Sequence, residues 1–358
     1  MQGCDIFGLG KEEIMTEKRL YNGLDIVKLG LALLVAARHM IQIFYPPESK
    51  WRLLIGGCLS NLAVPVFFII AGFFLFQKVD REQPESSRKA VFRYCGRILK
   101  LYILWSVLYL PLDYHNWYYN PDRNVGKAVF NYIQCFFFGS TTVQLWYLPA
   151  VLVACLLVWF CYQKGAKIGH LLVAGWILFT IGCMCDNWYY NHRFPEKLME
   201  LLLLYFRYFL TVRNGLFYGF FFVSLGLWFA KTKKQIPLGV GAGGFAVFVL
   251  FMFLEVRHCE NVNLVFSAAP ASFFLFAAAI AIPLKNRKLY PRLRGMSEWI
   301  YLSQTWFFQI YGWTAGWNPL PSTKKGITLS IMVPMVLFAW GMTMLSEKKT
   351  FRWLKKMI

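Results

Sequence analysis

The sequence is short of acidic residues, of metal-ligand patterns and of polar stretches long enough to fold by themselves. Its 358 residues include 18 Asp+Glu against 38 Lys+Arg, and charged residues make up 16% of the chain. No Gly-rich phosphate loop, no Ser/His/Asp arrangement in a soluble domain and no His/Cys cluster with metal spacing occurs. Nine cysteines are present but no CxxC pair, and most sit inside apolar runs, where thiols behave as small hydrophobes. Neither a disulfide framework nor a metal site is expected. The first twenty residues hold charge and no apolar core, so no cleavable signal peptide is expected, and the first spanning helix serves as the insertion signal.

Apolar and aromatic residues supply what remains. The chain is 58% hydrophobic and 19% aromatic, which excludes a soluble domain, a disordered chain and a fibrous repeat and leaves a polytopic membrane protein. Apolar runs of spanning length fall at about 22–44, 53–77, 95–112, 143–163, 168–186, 211–230, 237–254, 263–284, 297–316 and 326–346. The net charge of +20 resembles a nucleic-acid signature until positions are read. The basic residues lie between the runs, where they set orientation and meet anionic lipid, so no nucleic-acid partner is expected. They concentrate in alternate connections, above all 78–100, 285–294 and the end after 347. The expected fold is therefore an all-α polytopic helix bundle with about ten transmembrane helices and both termini cytoplasmic. It divides into a cytoplasmic tail at 1–20, a membrane domain at 21–346 and a basic cytoplasmic tail at 347–358.

The run from Tyr21 to Tyr45 carries Asp25, Lys28, Arg38 and His39. A charge near the bilayer centre costs at least ~2.5 kcal/mol, so such groups usually face a protein interior or a wet cavity. Lys28 and His39 are eleven residues apart, which returns them to one helix face roughly 16 Å apart along the axis. One stripe reads Asp25, Lys28, Ala32, Val35, His39, Gln42. A structural account pairs Asp25 with Lys28, lets Arg38 snorkel to the far interface and hydrogen-bonds His39 inside the bundle. A functional account makes His39 a general base, since an imidazole has an ordinary pKa of about 6.5.

A second basic row, Arg93, Arg97 and Lys100, falls at i, i+4 and i+7 at the cytoplasmic entry of the third run. It either flanks anionic head groups or, with Lys28, lines a cationic mouth for a phosphorylated cofactor. Two long external connections, 113–142 and 187–210, both begin Asn-Trp-Tyr-Tyr-Asn, at 116–120 and 187–191. These are an interfacial aromatic belt, or a platform on which a sugar stacks against Trp117 and Trp188 beside Asp113, His115 and His192. Arg213 and Asn214 open the sixth run, and Ser303, Gln304 and Gln309 lie in the ninth, where they can tie helices together.

Six blocks resemble, in order, the bacterial acyltransferase-3 family: GLDIVKLGLALLVAARHM (23–40), VPVFFIIAGFFLF (64–76), RILKLYILW (97–105), QLWYLPAVLVA (144–154), RNGLFYGFFFVSLGLWFAK (213–231) and IYLSQTWF (300–307). The resemblance implies O-acylation at the bacterial cytoplasmic membrane. The acyl group, typically acetyl, comes from cytoplasmic acyl-CoA as co-substrate, with no permanently bound cofactor. It passes to a cell-surface glycan or other hydroxyl acceptor. The basic-x10-His pattern falls on Lys28 and His39, the third-helix basic pair on Arg97 and Lys100, and the RNGLF arginine on Arg213. Lys28 and Lys100 stand where many members have Arg, which keeps charge and loses bidentate geometry. Ala71 stands for a common Ser, and Gln304 for a common His. The lysine and the RNGLF wording are similar to the membrane domain of glycopeptide-resistance serine racemases, a domain associated with handling serine. That leaves a transporter-like domain for a small polar substrate as the alternative.

Overall fold

The computed structural model describes residues 21–46, 49–119, 124–190, 194–232, 235–259, 261–316 and 324–358. These form twelve α-helices: α1 (Asn22–Phe44), α2 (Ala63–Phe76), α3 (Pro84–Tyr118), α4 (Val125–Phe138), α5 (Tyr147–Gln163), α6 (Ile168–Tyr190), α7 (Glu196–Phe209), α8 (Phe220–Thr232), α9 (Leu238–His258), α10 (Ala268–Ala281), α11 (Leu289–Ala315) and α12 (Lys324–Glu347). No strand occurs among the described residues. That follows from the solvent: in hydrocarbon each backbone N–H and C=O must be satisfied within its own segment, and apolar runs of this length do so only as helices. Seven helical segments among the described residues are long and apolar enough to cross a membrane. Each of the ten expected runs overlaps a helical segment, those at 143–163 and 263–284 the shorter apolar helices α5 and α10.

Two differences from the sequence expectation concern length and loops. α3 starts at Pro84, eleven residues before the apolar run. Proline at the first helical position gives up no hydrogen bond, and Glu85 in the first turn suits the positive helix end. The basic connection at 78–100 is therefore largely helix, and its basic row stands on a helical surface. The two long connections are not open loops either: α4 and α7 occupy them. Asn124 caps α4 by accepting from the Lys127 N–H at 2.9 Å.

The core has two parts, with α1 as the seam. Leu24, Leu31 and Val35 face an interior built mainly from α2, α5, α6, α8, α9 and α10. Ala32, Ala36, Met40, Ile41 and Phe44 face a second interior built from α3, α11 and α12. Glycine sets the contact between α2 and α8: a Cβ on Gly72 of α2 would lie 2.4 Å from the Val223 carbonyl oxygen of α8, and one on Gly226 2.3 Å from the Ile69 oxygen. Close backbone approach of this kind is how helices associate where burial from water supplies no driving force.

Candidate functional site

Two helical rods lose regular α winding where they meet the seam. The rod Arg52–Phe76 runs as a wide π turn over Arg52–Cys58, tightens over Leu59–Leu62 and becomes α2. Before α8, Gly215–Gly219 is also π-wound, started by the Asn214 carboxamide, which accepts from the Leu216 and Phe217 N–H groups at 3.0 Å each. Gly215 is needed there, because a Cβ would sit 2.5 Å from the Ala150 oxygen of α5. π segments recur at functional sites.

Between these rods and α1 lies a cavity of about 60 Å³. Its walls are Val35, Arg38 and His39 of α1; Ser60, Asn61, Val64 and Phe67 of the second rod; Val143, Gln144, Trp146 and Tyr147 at the entry to α5; Arg213 and Tyr218; Asn263; and Tyr301 of α11. A space of this size holds a few waters.

Arg38 faces inward rather than snorkelling. Its Nη1 donates to Ser60 Oγ at 3.2 Å and Asn61 Oδ1 at 2.8 Å, and its Nη2 to Asn263 Oδ1 at 2.9 Å. These acceptors are themselves held: Asn61 donates to the Val262 oxygen at 2.7 Å, and Asn263 to Asn261 Oδ1 at 2.7 Å. All three are neutral, so the guanidinium charge stays uncompensated by direct contact. His39 makes no hydrogen bond among the described residues, so the bond expected for it inside the bundle is not seen; it lines the cavity. Arg213 lines the same space with its guanidinium 5.7 Å from the Trp146 ring centroid. Gln144, 2% exposed, is fixed on the opposite wall by Tyr109 and Thr305 at 2.8 and 2.6 Å, while the Tyr301 hydroxyl donates to its main-chain oxygen. Asp186, buried with Oδ2 unpartnered, is an electrostatic neighbour of both arginines.

The expected cofactor residues lie elsewhere. Asp25 does not pair with Lys28; it accepts a bidentate bond from Arg294 of α11, both contacts 2.8 Å. A planar guanidinium matches two carboxylate oxygens, which an ammonium cannot do. Lys28 lies 5.8 Å from the Phe74 ring centroid, with Glu298, Arg294, Asp25 and Arg97 as its electrostatic neighbours, so this end of the bundle is mixed rather than purely cationic. Arg97 donates to an oxygen of Ile358 at 3.0 Å, and Trp105 to the Met357 oxygen at 2.8 Å. The segment after α12 thus folds back against α3. Lys100 is exposed.

Of the two expected aromatic platform residues, Trp117 is not among the cavity walls. Trp117 packs on Tyr114 at 5.6 Å near the end of α3, and the side chain of Trp188 lies outside the described residues. Ser303 and Gln304 bond main-chain oxygens of their own helix, at Trp299 and Tyr301, instead of linking helices. Among the described residues no group of three or more His, Cys, Asp or Glu is arranged to hold a metal ion. Ser60, Asn61, Gln144 and Asn263 escaped the sequence reading. The signal available was polar residues interrupting the second run and opening the Gln-Leu-Trp-Tyr block.

A multi-pass helix bundle with two arginines and an imidazole around a cavity beside its first helix defines a class of membrane-embedded proteins with a buried polar site. The profile of the acyltransferase-3 family, described as an acyltransferase domain, matches residues 21–353, and the chain belongs to that family. It is also similar to an amino-acid racemase of Enterococcus faecalis, 27% identical over 221 residues, covering 62% of this chain and 30% of the relative. A serine/alanine racemase of Enterococcus gallinarum is 26% identical over 289 residues, covering 78% of this chain and 40% of the relative. The chain thus spans well under half the length of these curated relatives. No solved structure matches.

Proposed function

We propose that the protein is an integral membrane O-acyltransferase of the bacterial cytoplasmic membrane. It moves an acyl group, acetyl in the simplest case, from cytoplasmic acyl-CoA to a hydroxyl of an extracytoplasmic acceptor such as a cell-surface glycan. The observation that carries this reading is the convergence of His39, Arg38 and Arg213 on one cavity. His39 takes the hydroxyl proton as the acceptor oxygen attacks the thioester carbonyl carbon. The carbonyl oxygen becomes an oxyanion, and Arg38, fixed by three hydrogen bonds, offers its remaining N–H groups to that charge. Collapse breaks the carbon–sulfur bond, and the leaving thiolate takes the proton from His39. Arg213 holds the acceptor. Lys28, Arg97 and Lys100 meet the donor phosphates, Arg97 exchanging its contact with Ile358.

Purified protein in lipid nanodiscs, supplied with labelled acetyl-CoA, tests this. His39→Ala is expected to bind donor normally and lose about 10²–10⁴ in turnover. Unchanged turnover in a folded His39→Ala protein would remove the base assignment. A second reading, handling of a small amino acid, draws on Asp186 near two arginines, a set suited to a zwitterion, and on the names of the Enterococcus relatives. It requires serine or alanine movement without acetyl-CoA consumption.

A further inference from the structure

The cavity is rimmed where α4 and α7 end. α4 leads through Gly139 to Val143 and Gln144, and α7 leads through Leu210 to Arg213. The two helices touch near these ends: Gln134 donates to the Arg207 oxygen at 2.6 Å, and the Phe138 and Phe209 rings meet edge to face at 5.4 Å. Their outer faces are apolar and open. Phe130, Ile133 and Phe137 of α4 are 65%, 52% and 67% exposed, and no residue of α4 is buried.

Placement says what covers this face. α4 stands beside the membrane-crossing part of α3, with Phe136 stacked on Tyr102 at 4.9 Å and its oxygen accepting from the Tyr102 hydroxyl at 2.9 Å. On α3 itself Ile103, Val107 and Leu110 are also exposed, so both helices present apolar surface of the kind that suits hydrocarbon. Val143, on the cavity rim, is 68% exposed. Inside the rim the chemistry reverses. Among the described residues the Arg213 guanidinium has no hydrogen-bond or ion-pair partner, and Arg38 binds neutral oxygens alone. Apolar outside and cationic within matches an anionic amphiphile.

We propose that the acceptor enters sideways from the bilayer as an anionic lipid carrying a hydroxyl in its head group. Its chain lies along the α4–α7 pair, its phosphate meets Arg213, and its hydroxyl reaches His39. This rests on the acyl-transfer reading and narrows it to a membrane-resident acceptor.

The test places a photoreactive benzoylphenylalanine at Val143 in the full-length protein, in nanodiscs of equal phosphatidylglycerol and phosphatidylcholine, and identifies captured lipid by mass spectrometry. Phosphatidylglycerol is expected in about tenfold excess at position 143. The excess should fall to parity in Arg213→Gln and persist in part in Arg213→Lys. A probe at Val247, exposed on the lipid side of α9, should capture both lipids evenly, and one at Phe138 serves if the Val143 variant does not fold. Even capture at both rim positions, or an excess that survives Arg213→Gln, overturns the proposal. Capture needs no turnover, so the two readings separate. Selective capture without acetyl-CoA consumption supports lateral lipid entry and removes acyl transfer. Even capture with acetylation of a soluble sugar does the reverse.

Discussion

Arg38 and His39 are neighbours in sequence and leave α1 about 100° apart, yet both reach one cavity because the irregular second rod brings Ser60 and Asn61 across to meet the guanidinium. The roles proposed for them separate by experiment. Arg38→Gln removes one charged donor from the proposed oxyanion and is expected to cost about 10²–10³ in kcat, with donor KM unchanged because the residues proposed for the donor phosphates lie at the other end of α1. Asn61→Leu should lower kcat in the same direction by less, since Arg38 keeps its bonds to Ser60 and Asn263. A change confined to donor KM in either variant would contradict this arrangement; initial-rate kinetics with labelled acetyl-CoA decide it. The sequence made His39 and Arg213 legible, because ionisable groups inside apolar runs demand an explanation. It misplaced Arg38, since snorkelling and inward capture are indistinguishable without knowing which polar groups face the helix across 22 and 225 residues of chain. It also mispaired Asp25: local spacing favours Lys28, and the partner that holds it, Arg294, is 269 residues distant.

At the scale of elements, packing between α2 and α8 depends on two glycines. Gly72→Ala and Gly226→Ala each drive a Cβ into backbone oxygen of the partner helix, which cannot rotate away as a side chain can. Both variants should show a clear fall in melting temperature in detergent. Gly30→Ala on α1 is the control: a Cβ there meets nothing within 4 Å, so the helix gains about 0.5–1 kcal/mol from the better propensity of alanine. Equal melting temperatures across the three would remove the tight α2–α8 contact as a determinant of stability. The spanning runs were legible because length and hydropathy alone fix a helix in hydrocarbon. α4 and α7 were hidden because 14 residues are too few to span, and their mixed faces look like ordinary connection until their neighbours are in place.

For the whole molecule, the distribution of Lys and Arg supplies an orientation that the helices themselves do not. Alkaline phosphatase fused after Tyr119 should be active, and after Lys89 or Glu347 inactive, if the basic connections face the cytoplasm. Activity at Glu347 would invert the proposed direction of transfer. One further property belongs to the molecule's dimensions. α1 is an unbroken helix of 23 residues, and on it the donor's proposed anchoring charge and the reacting imidazole stand roughly 16 Å apart. Such a rod is a ruler: it admits a donor whose anionic head and reactive carbonyl are separated by a long arm, and excludes one in which they are adjacent. Acetyl phosphate, with its charge next to its carbonyl, should therefore fail to replace acetyl-CoA in the nanodisc assay, however much is added.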